Sequence, residues 1–429
     1  MKKQVKLDTM IYGMILIIMI GIPVLKFITY VPQISIINPY LITRSRVYFM
    51  WGTVIFLILL YFYSIYDEER KITYYDYILY FLIAMAVVAT VFSVDVRKSF
   101  LGEQYRYEGL FTMLHYYLLV LNAKNLKSEK YKKNLLKCFV YIGIFQSLYA
   151  ILQSFTPFMY MVSKFSDGPH MAMGLCSNPN FFGLYMTMQI SIATIYFIKT
   201  GKIRYLLLYI LFSVALYTAS SSGPLLAYVL SFILFAILMR KYYKRIAILI
   251  FIFIFTCYTA DTVLKYLHIR VYNNPISDRY VISNDLKDTV TKIENDEIKK
   301  VGSGRINLWL KSVPLIKEYW LYGSGLDTFG DVYPQSGKIF YDKAHNVYIQ
   351  IGVTNGIFAL VAYMLICLIV FLKGFKLEKN YSIALFMAFV SYCIAAFANI
   401  STIDVAPFFY IILGLLISDV KGKSLNKKN

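Results

Sequence analysis

Histidine and cysteine are scarce in this chain, and neither is arranged to hold a metal. The four histidines, His115, His170, His268 and His345, stand far apart, with no partner at ligand spacing. The five cysteines, Cys138, Cys176, Cys257, Cys367 and Cys393, form no CxxC pair, so neither a zinc site nor a disulfide framework is supported and buried small hydrophobes are the default. The stretch Gly302-Ser303-Gly304-Arg305 lacks the lysine and Ser/Thr that end a phosphate-binding P-loop, which leaves nucleotide hydrolysis without support. No repeat or low-complexity linker divides the chain. Titratable residues are almost missing from the interior of its long apolar runs, where an ion-coupled transporter would carry them. Lys26, Asp76 and Asp404 sit toward run ends, within reach of water by snorkelling.

What is present is apolar sequence: 59% of the 429 residues are hydrophobic and 17% aromatic. That composition predicts an all-α integral membrane protein built as one polytopic domain over 1–429. About twelve stretches approach the roughly 20 residues needed to span hydrocarbon: 10–30, 47–66, 74–92, 109–123, 134–155, 179–198, 203–219, 222–239, 246–264, 345–372, 381–398 and 404–419. The formal net charge of +20 follows membrane topology rather than nucleic acid. Lys2, Lys3 and Lys6 precede the first span, and basic clusters at 70–71, 124–133, 199–204, 240–245, 373–379 and 421–428 follow even-numbered spans. By the positive-inside rule both termini are cytoplasmic. The first span reads as an uncleaved signal anchor.

The one long polar region, 265–343 between spans nine and ten, then faces outside. Leu286, Val290 and Ile293 recur there at helical spacing, as do Ile306, Trp309, Leu310 and Val313, predicting two amphipathic helices over the outer face. Pro314 should bend or end the second, and Gly323-Ser324-Gly325 should turn the chain back toward the membrane. Other outer segments are 92–109, with Arg106-Tyr107-Glu108-Gly109, and Asn178-Pro179-Asn180 before span six, where asparagine followed by proline reads sufficiently as a helix N-cap. His115, inside span four, reads as a hydrogen-bonded packing residue.

The ends of the long region carry the residues with chemistry. Gly304-Arg305-Ile306-Asn307-Leu308-Trp309 supplies a guanidinium that stays charged and grips phosphate oxygens through a planar fork. Ala344-His345-Asn346 supplies an imidazole able to accept a proton near neutrality, where the chain re-enters the membrane. Asn346 is placed to orient substrate. Singly, Arg305 also fits a headgroup anchor and His345 an interfacial polar residue; their co-occurrence favours an enzyme acting on an anionic, lipid-borne substrate.

Taken together, these pieces resemble the bacterial O-antigen ligase and polymerase family. The resemblance runs from Phe92 through Gly109, Asn178-Pro179-Asn180 and Ser220-Ser221-Ser222-Gly223-Pro224 to Arg305, Trp309, Gly323-Ser324-Gly325, Ala344-His345-Asn346 and Gly352 to Gly356. It implies GT-C-like architecture in a bacterial plasma membrane, no metal and no cofactor. The donor would be an undecaprenyl-diphosphate-linked glycan and the acceptor a glycan, lipid or protein, within membrane lipids. Arg305 takes the place of the family's diphosphate-holding loop arginine and His345 that of its catalytic histidine. Many members carry an arginine where this chain has Ser222, so Arg106 and Arg279 are candidates for the second cationic contact, with Asn178, Asn180 and Ser222 as further substrate contacts. The expected activity is metal-independent, inverting glycosyl transfer on the outer face. A lipid-linked glycan flippase and an assembly scaffold are the competing readings. Polymerase versus ligase, the sugars and the oligomeric state stay open. Abundant Lys, Ile, Asn and Tyr point to an AT-rich genome, as of a bacterium without an outer membrane, which disfavours a lipid A core acceptor.

Overall fold

The computed structural model describes residues 2–29, 39–66, 72–104, 106–155, 172–272, 291, 304–335 and 340–421. Hydrocarbon offers no water to backbone polar groups, so apolar segments of this length pair their N–H and C=O groups internally as helices. They are α1 (Lys2–Ile28), α2 (Pro39–Tyr66), α3 (Tyr74–Val91), α4 (Val96–Leu101), α5 (Leu110–Ala123), α6 (Glu129–Phe155), α7 (Pro179–Thr200), α8 (Ile203–Thr218), α9 (Ser222–Leu238), α10 (Tyr243–Tyr272), α11 (Arg305–Glu318), α12 (Phe329–Val332), α13 (Val347–Thr354), α14 (Ile357–Gly374), α15 (Asn380–Ala395) and α16 (Ala406–Lys421).

Each of the twelve expected segments is mostly helical in its described part, the tenth as two helices. Among the described residues eight helices are long and apolar enough to cross a membrane: α1, α2, α3, α6, α7, α10, α14 and α15. The apolar helices α5, α8, α9 and α16 are shorter. The chain forms two compact units, one of 1–139, 307–378 and 400–429, the other of 140–306 and 379–399.

In the first unit α5 packs against α2, α3 and α16, and α3 packs against α14. His115 is fully buried there, its Nδ1 within 2.9 Å of Thr53 Oγ1, the packing role expected of it. The span-end charges do not reach water. Asp76 lies 2.5 Å from Lys124 with both side chains buried, and it also accepts a 2.7 Å hydrogen bond from Tyr61 Oη. Asp404 pairs with Arg46 at 2.9 Å, and Lys26 is buried. A charge held within a bundle is stabilised by a partner, and the helices that supply these partners are distant in sequence.

In the second unit α7 is the central helix, packed by α8, α9 and α15. Nearly all its side chains are buried, as those of a helix enclosed by others should be. Hydroxyls stitch it to its neighbours: Ser191 lies 2.6 Å from Ser391 of α15, which donates to Ser231 of α9 at 2.8 Å. Short polar side chains on tightly packed membrane helices commonly bond in this way.

Three local expectations change. The tenth segment is not one helix from His345: α13 stops at Thr354, and α14 starts after Gly356 at φ 85°. A Cβ on Gly356 would lie 2.8 Å from the Leu321 carbonyl oxygen, so close backbone approach decides the break. Of the bend or end expected at Pro314, the end does not occur, because α11 continues to Glu318. The buried stripe of α11 is Leu308, Ser312 and Leu315, whereas Leu310 and Val313 are exposed. The Gly323-Ser324-Gly325 turn forms as expected, with Ser324 N–H donating to the Val353 carbonyl at 2.9 Å. The predicted helix through Leu286, Val290 and Ile293 lies outside the described residues.

Candidate active site

The residues singled out in the sequence fall into two groups, one in each unit. In the first unit they centre on the run 342–346. His345 is half-buried and holds φ at +49°, a left-handed conformation that costs a non-glycine residue free energy and persists where its surroundings over-determine it.

Those surroundings are explicit. Asp342 Oδ2 accepts from Arg106 Nε at 2.6 Å. The Ala344 carbonyl accepts from Trp309 Nε1 at 3.0 Å, and its N–H donates to Gln350 Oε1 at 2.9 Å. Asn346 Oδ1 caps α13, accepting from the Tyr348 and Ile349 N–H groups at 2.9 and 3.1 Å. Every neighbour of His345 in this run is anchored, which presents the imidazole from a rigid frame. The side-chain oxygen of Asn346 is committed to the cap, and Arg106 is committed to Asp342.

Lys343 carries the strongest of these anchors. Its ammonium lies 2.5 Å from Asp327 Oδ1 and 3.0 Å from Glu108 Oε2, all three side chains being buried. Asp327 Oδ2 accepts from the N–H groups of Glu103 and Glu108 at 2.7 and 3.1 Å, fastening the 102–109 loop to the turn after Gly325. Burial pulls the Lys343 ammonium down, but the Asp327 and Glu108 charges outweigh it and raise its pKa, so it stays charged. Burial pushes the Glu108 carboxyl above its usual range, with Asp327 adding to the rise against the pull of Lys343. Asp327 is therefore the principal counter-charge. The group borders a cavity of about 40 Å³, which Gln350, Asn355 and Ser401 also line. That is far below the roughly 300–1,000 Å³ of ligand pockets, so the void belongs to the frame and not to a sugar site.

In the second unit Arg305, the first residue of α11, donates through Nη1 to the Ala398 carbonyl at 2.7 Å. Gly223 adjoins it: a Cβ there would stand 3.5 Å from the same Nη1. Ser222 precedes that glycine as the first residue of α9. Ser221 Oγ donates to Asn180 Oδ1 at 2.6 Å, and Asn178 Oδ1 accepts from the Asn180 N–H at 2.8 Å as the N-cap of α7. The cap reading of Asn178 holds, and Asn180 with Ser221 ties α7 to the start of α9. Arg279 lies outside the described residues. Among the described residues no cluster of three or more His, Cys, Asp or Glu side chains is spaced to hold a metal ion.

Arg305, Gly223 and His345 all fall within residues 207–364, the segment that matches the family model for O-antigen ligase. Over that segment the chain is similar to the O-antigen ligase family. Proteins of this kind are membrane enzymes of polysaccharide biosynthesis that use lipid-linked glycan donors and acceptor substrates. No curated protein matches the chain.

Sequence reasoning missed Lys343, Asp342 and Asp327. It had marked Glu108 only as part of the Arg106-Tyr107-Glu108-Gly109 pattern. For Glu108 and Asp327 the available signal was charge close to the glycines at 109 and 325, where close-packed backbone brings such charges together. Partner choice was not readable there.

Proposed function

We propose that this protein transfers a glycan from undecaprenyl diphosphate to an acceptor hydroxyl on the outer face of a bacterial plasma membrane. The observation that carries the reading is His345, a half-buried imidazole on strained backbone whose neighbours are all anchored. Strain maintained at one titratable residue by so many contacts is the pattern of a preorganised catalytic group.

The acceptor oxygen attacks the anomeric carbon as the bond from that carbon to the diphosphate oxygen breaks. The bonding electrons leave with the diphosphate, and the acceptor proton passes to the His345 imidazole. Arg305 stabilises the charge growing on the departing diphosphate, an interaction strongest in the transition state. A single displacement inverts the anomeric configuration, and these residues perform it without a metal. The outward placement of 304–346 and cytoplasmic termini follow from the distribution of basic residues.

Mass spectrometry of polyprenyl-linked glycans tests this in cells carrying the native protein, His345→Ala, or no protein, with membrane levels matched. Donor should accumulate equally in the last two. A native profile from His345→Ala, with the deletion abnormal, overturns the assignment and favours transport or scaffolding. Loss of a multi-unit ladder identifies a polymerase; loss of glycan from a distinct acceptor identifies a ligase.

A further inference from the structure

The geometry points to α11 and the aromatic residues after it as an in-plane membrane contact, seated at the headgroup–acyl boundary of the bilayer. At 3.6 residues per turn, the helix has three faces. Leu308, Ser312 and Leu315 turn inward. Asn307, Lys311 and Glu318 form a polar flank, all exposed. Leu310 and Val313 form the opposite flank, and each is 56% exposed. A helix lying on a bundle in water has no reason to present two large aliphatic side chains beside a polar flank. One lying in the interface turns the first toward acyl chains and the second toward water. Lys317 is exposed on the apolar side, where a long stem lets an ammonium reach lipid phosphate.

Continuity with two candidate spans identifies the occupant as lipid. Beyond α11, the exposed ring of Tyr322 stacks on Phe92, at the end of α3, with centroids 4.5 Å apart. Trp320, 50% exposed, packs on Phe358 in the first turn of α14 at 5.9 Å. The Trp320 carbonyl also accepts the Ile357 N–H at 2.7 Å. Since α3 and α14 both have membrane-spanning length, the residues docked on their ends lie where the bilayer ends. Exposed tryptophan, tyrosine and phenylalanine at that level form the aromatic belt of a membrane protein. The seating would also fix the depth of Arg305; that consequence rests on the proposed function, whereas the seating does not.

The test uses full-length protein reconstituted into phosphatidylcholine–phosphatidylglycerol vesicles whose acyl chains carry bromine at a shallow or a deep carbon. The emission removed by Trp320→Phe, and separately the emission added by Leu310→Trp, is measured against these lipids and against aqueous iodide. Both signals should lose most of their intensity to shallow bromine, less to deep bromine and little to iodide. Quenching by iodide with none by brominated lipid overturns the proposal and leaves the stripe facing water or a protein partner. The readout needs no turnover, so a failed glycosyl-transfer reading leaves it intact.

Discussion

Lys343 Nζ stands 2.5 Å from Asp327 Oδ1 with both side chains buried, and through this pair the turn after Gly325 holds the run that carries His345. Lys343→Met should cost ~3–5 kcal/mol, the range for removing one partner of a buried ion pair, because it strands the Asp327 carboxylate. Thermal unfolding in detergent should show a lowered midpoint. The triple variant Lys343→Met, Glu108→Gln, Asp327→Asn should recover part of the loss, since no buried charge is then left alone. An unchanged midpoint for Lys343→Met would contradict the pairing.

The strain at His345 separates stability from activity. His345→Gly removes a side chain from left-handed backbone at φ +49°, so it should raise stability by about 1 kcal/mol, against the ordinary entropic cost of glycine. Transfer should be abolished. A midpoint that rises while turnover disappears is the expected result; lowered stability would show that His345 is a packing residue.

Acid stability should depend on Arg106. Burial pushes the Asp342 carboxyl up, but the Arg106 hydrogen bond and charge, aided by Lys343 and His345, outweigh it and hold the carboxyl below its usual 3.8. A lowered native pKa contributes stability above the ordinary value and loses it as pH falls through the native one. The midpoint gap between native protein and Arg106→Gln should therefore be full above pH 3.8 and close at lower pH. A gap that widens on acidification would reverse the sign and refute the pairing.

Arg305→Ala should lower the turnover rate by ~10²–10³, the scale for losing one donor to a developing anion. Arg305→Lys should restore little, because an ammonium cannot hold the Ala398 carbonyl and phosphate oxygens through one planar fork. A lipid-linked donor assay at matched membrane levels checks both. Full activity of either variant would move the diphosphate contact elsewhere.

The outline of the fold was legible because a long apolar segment has one economical way to satisfy its backbone. The break at Gly356 was not, since the reason lies in the Leu321 carbonyl oxygen, 2.8 Å from where a Cβ would be, and no local pattern announces that contact. Arg305 and His345 stood out by residue type and by the motifs around them. Lys343 did not, although it is two residues from His345, because a lysine near a membrane boundary ordinarily reads as a solvated anchor.

Sequence by itself determined the membrane class, the outline of the helices and the Asn178 cap, and it singled out Arg305 and His345, the residues proposed for the chemistry, all consequences of local composition and spacing. Tertiary structure alone decided which charges are paired, which flank of α11 is exposed and what holds His345 in place. Lys343 and Glu108 are 235 residues apart in the chain, and an interaction between such positions is set by how the helices pack, which no local preference encodes.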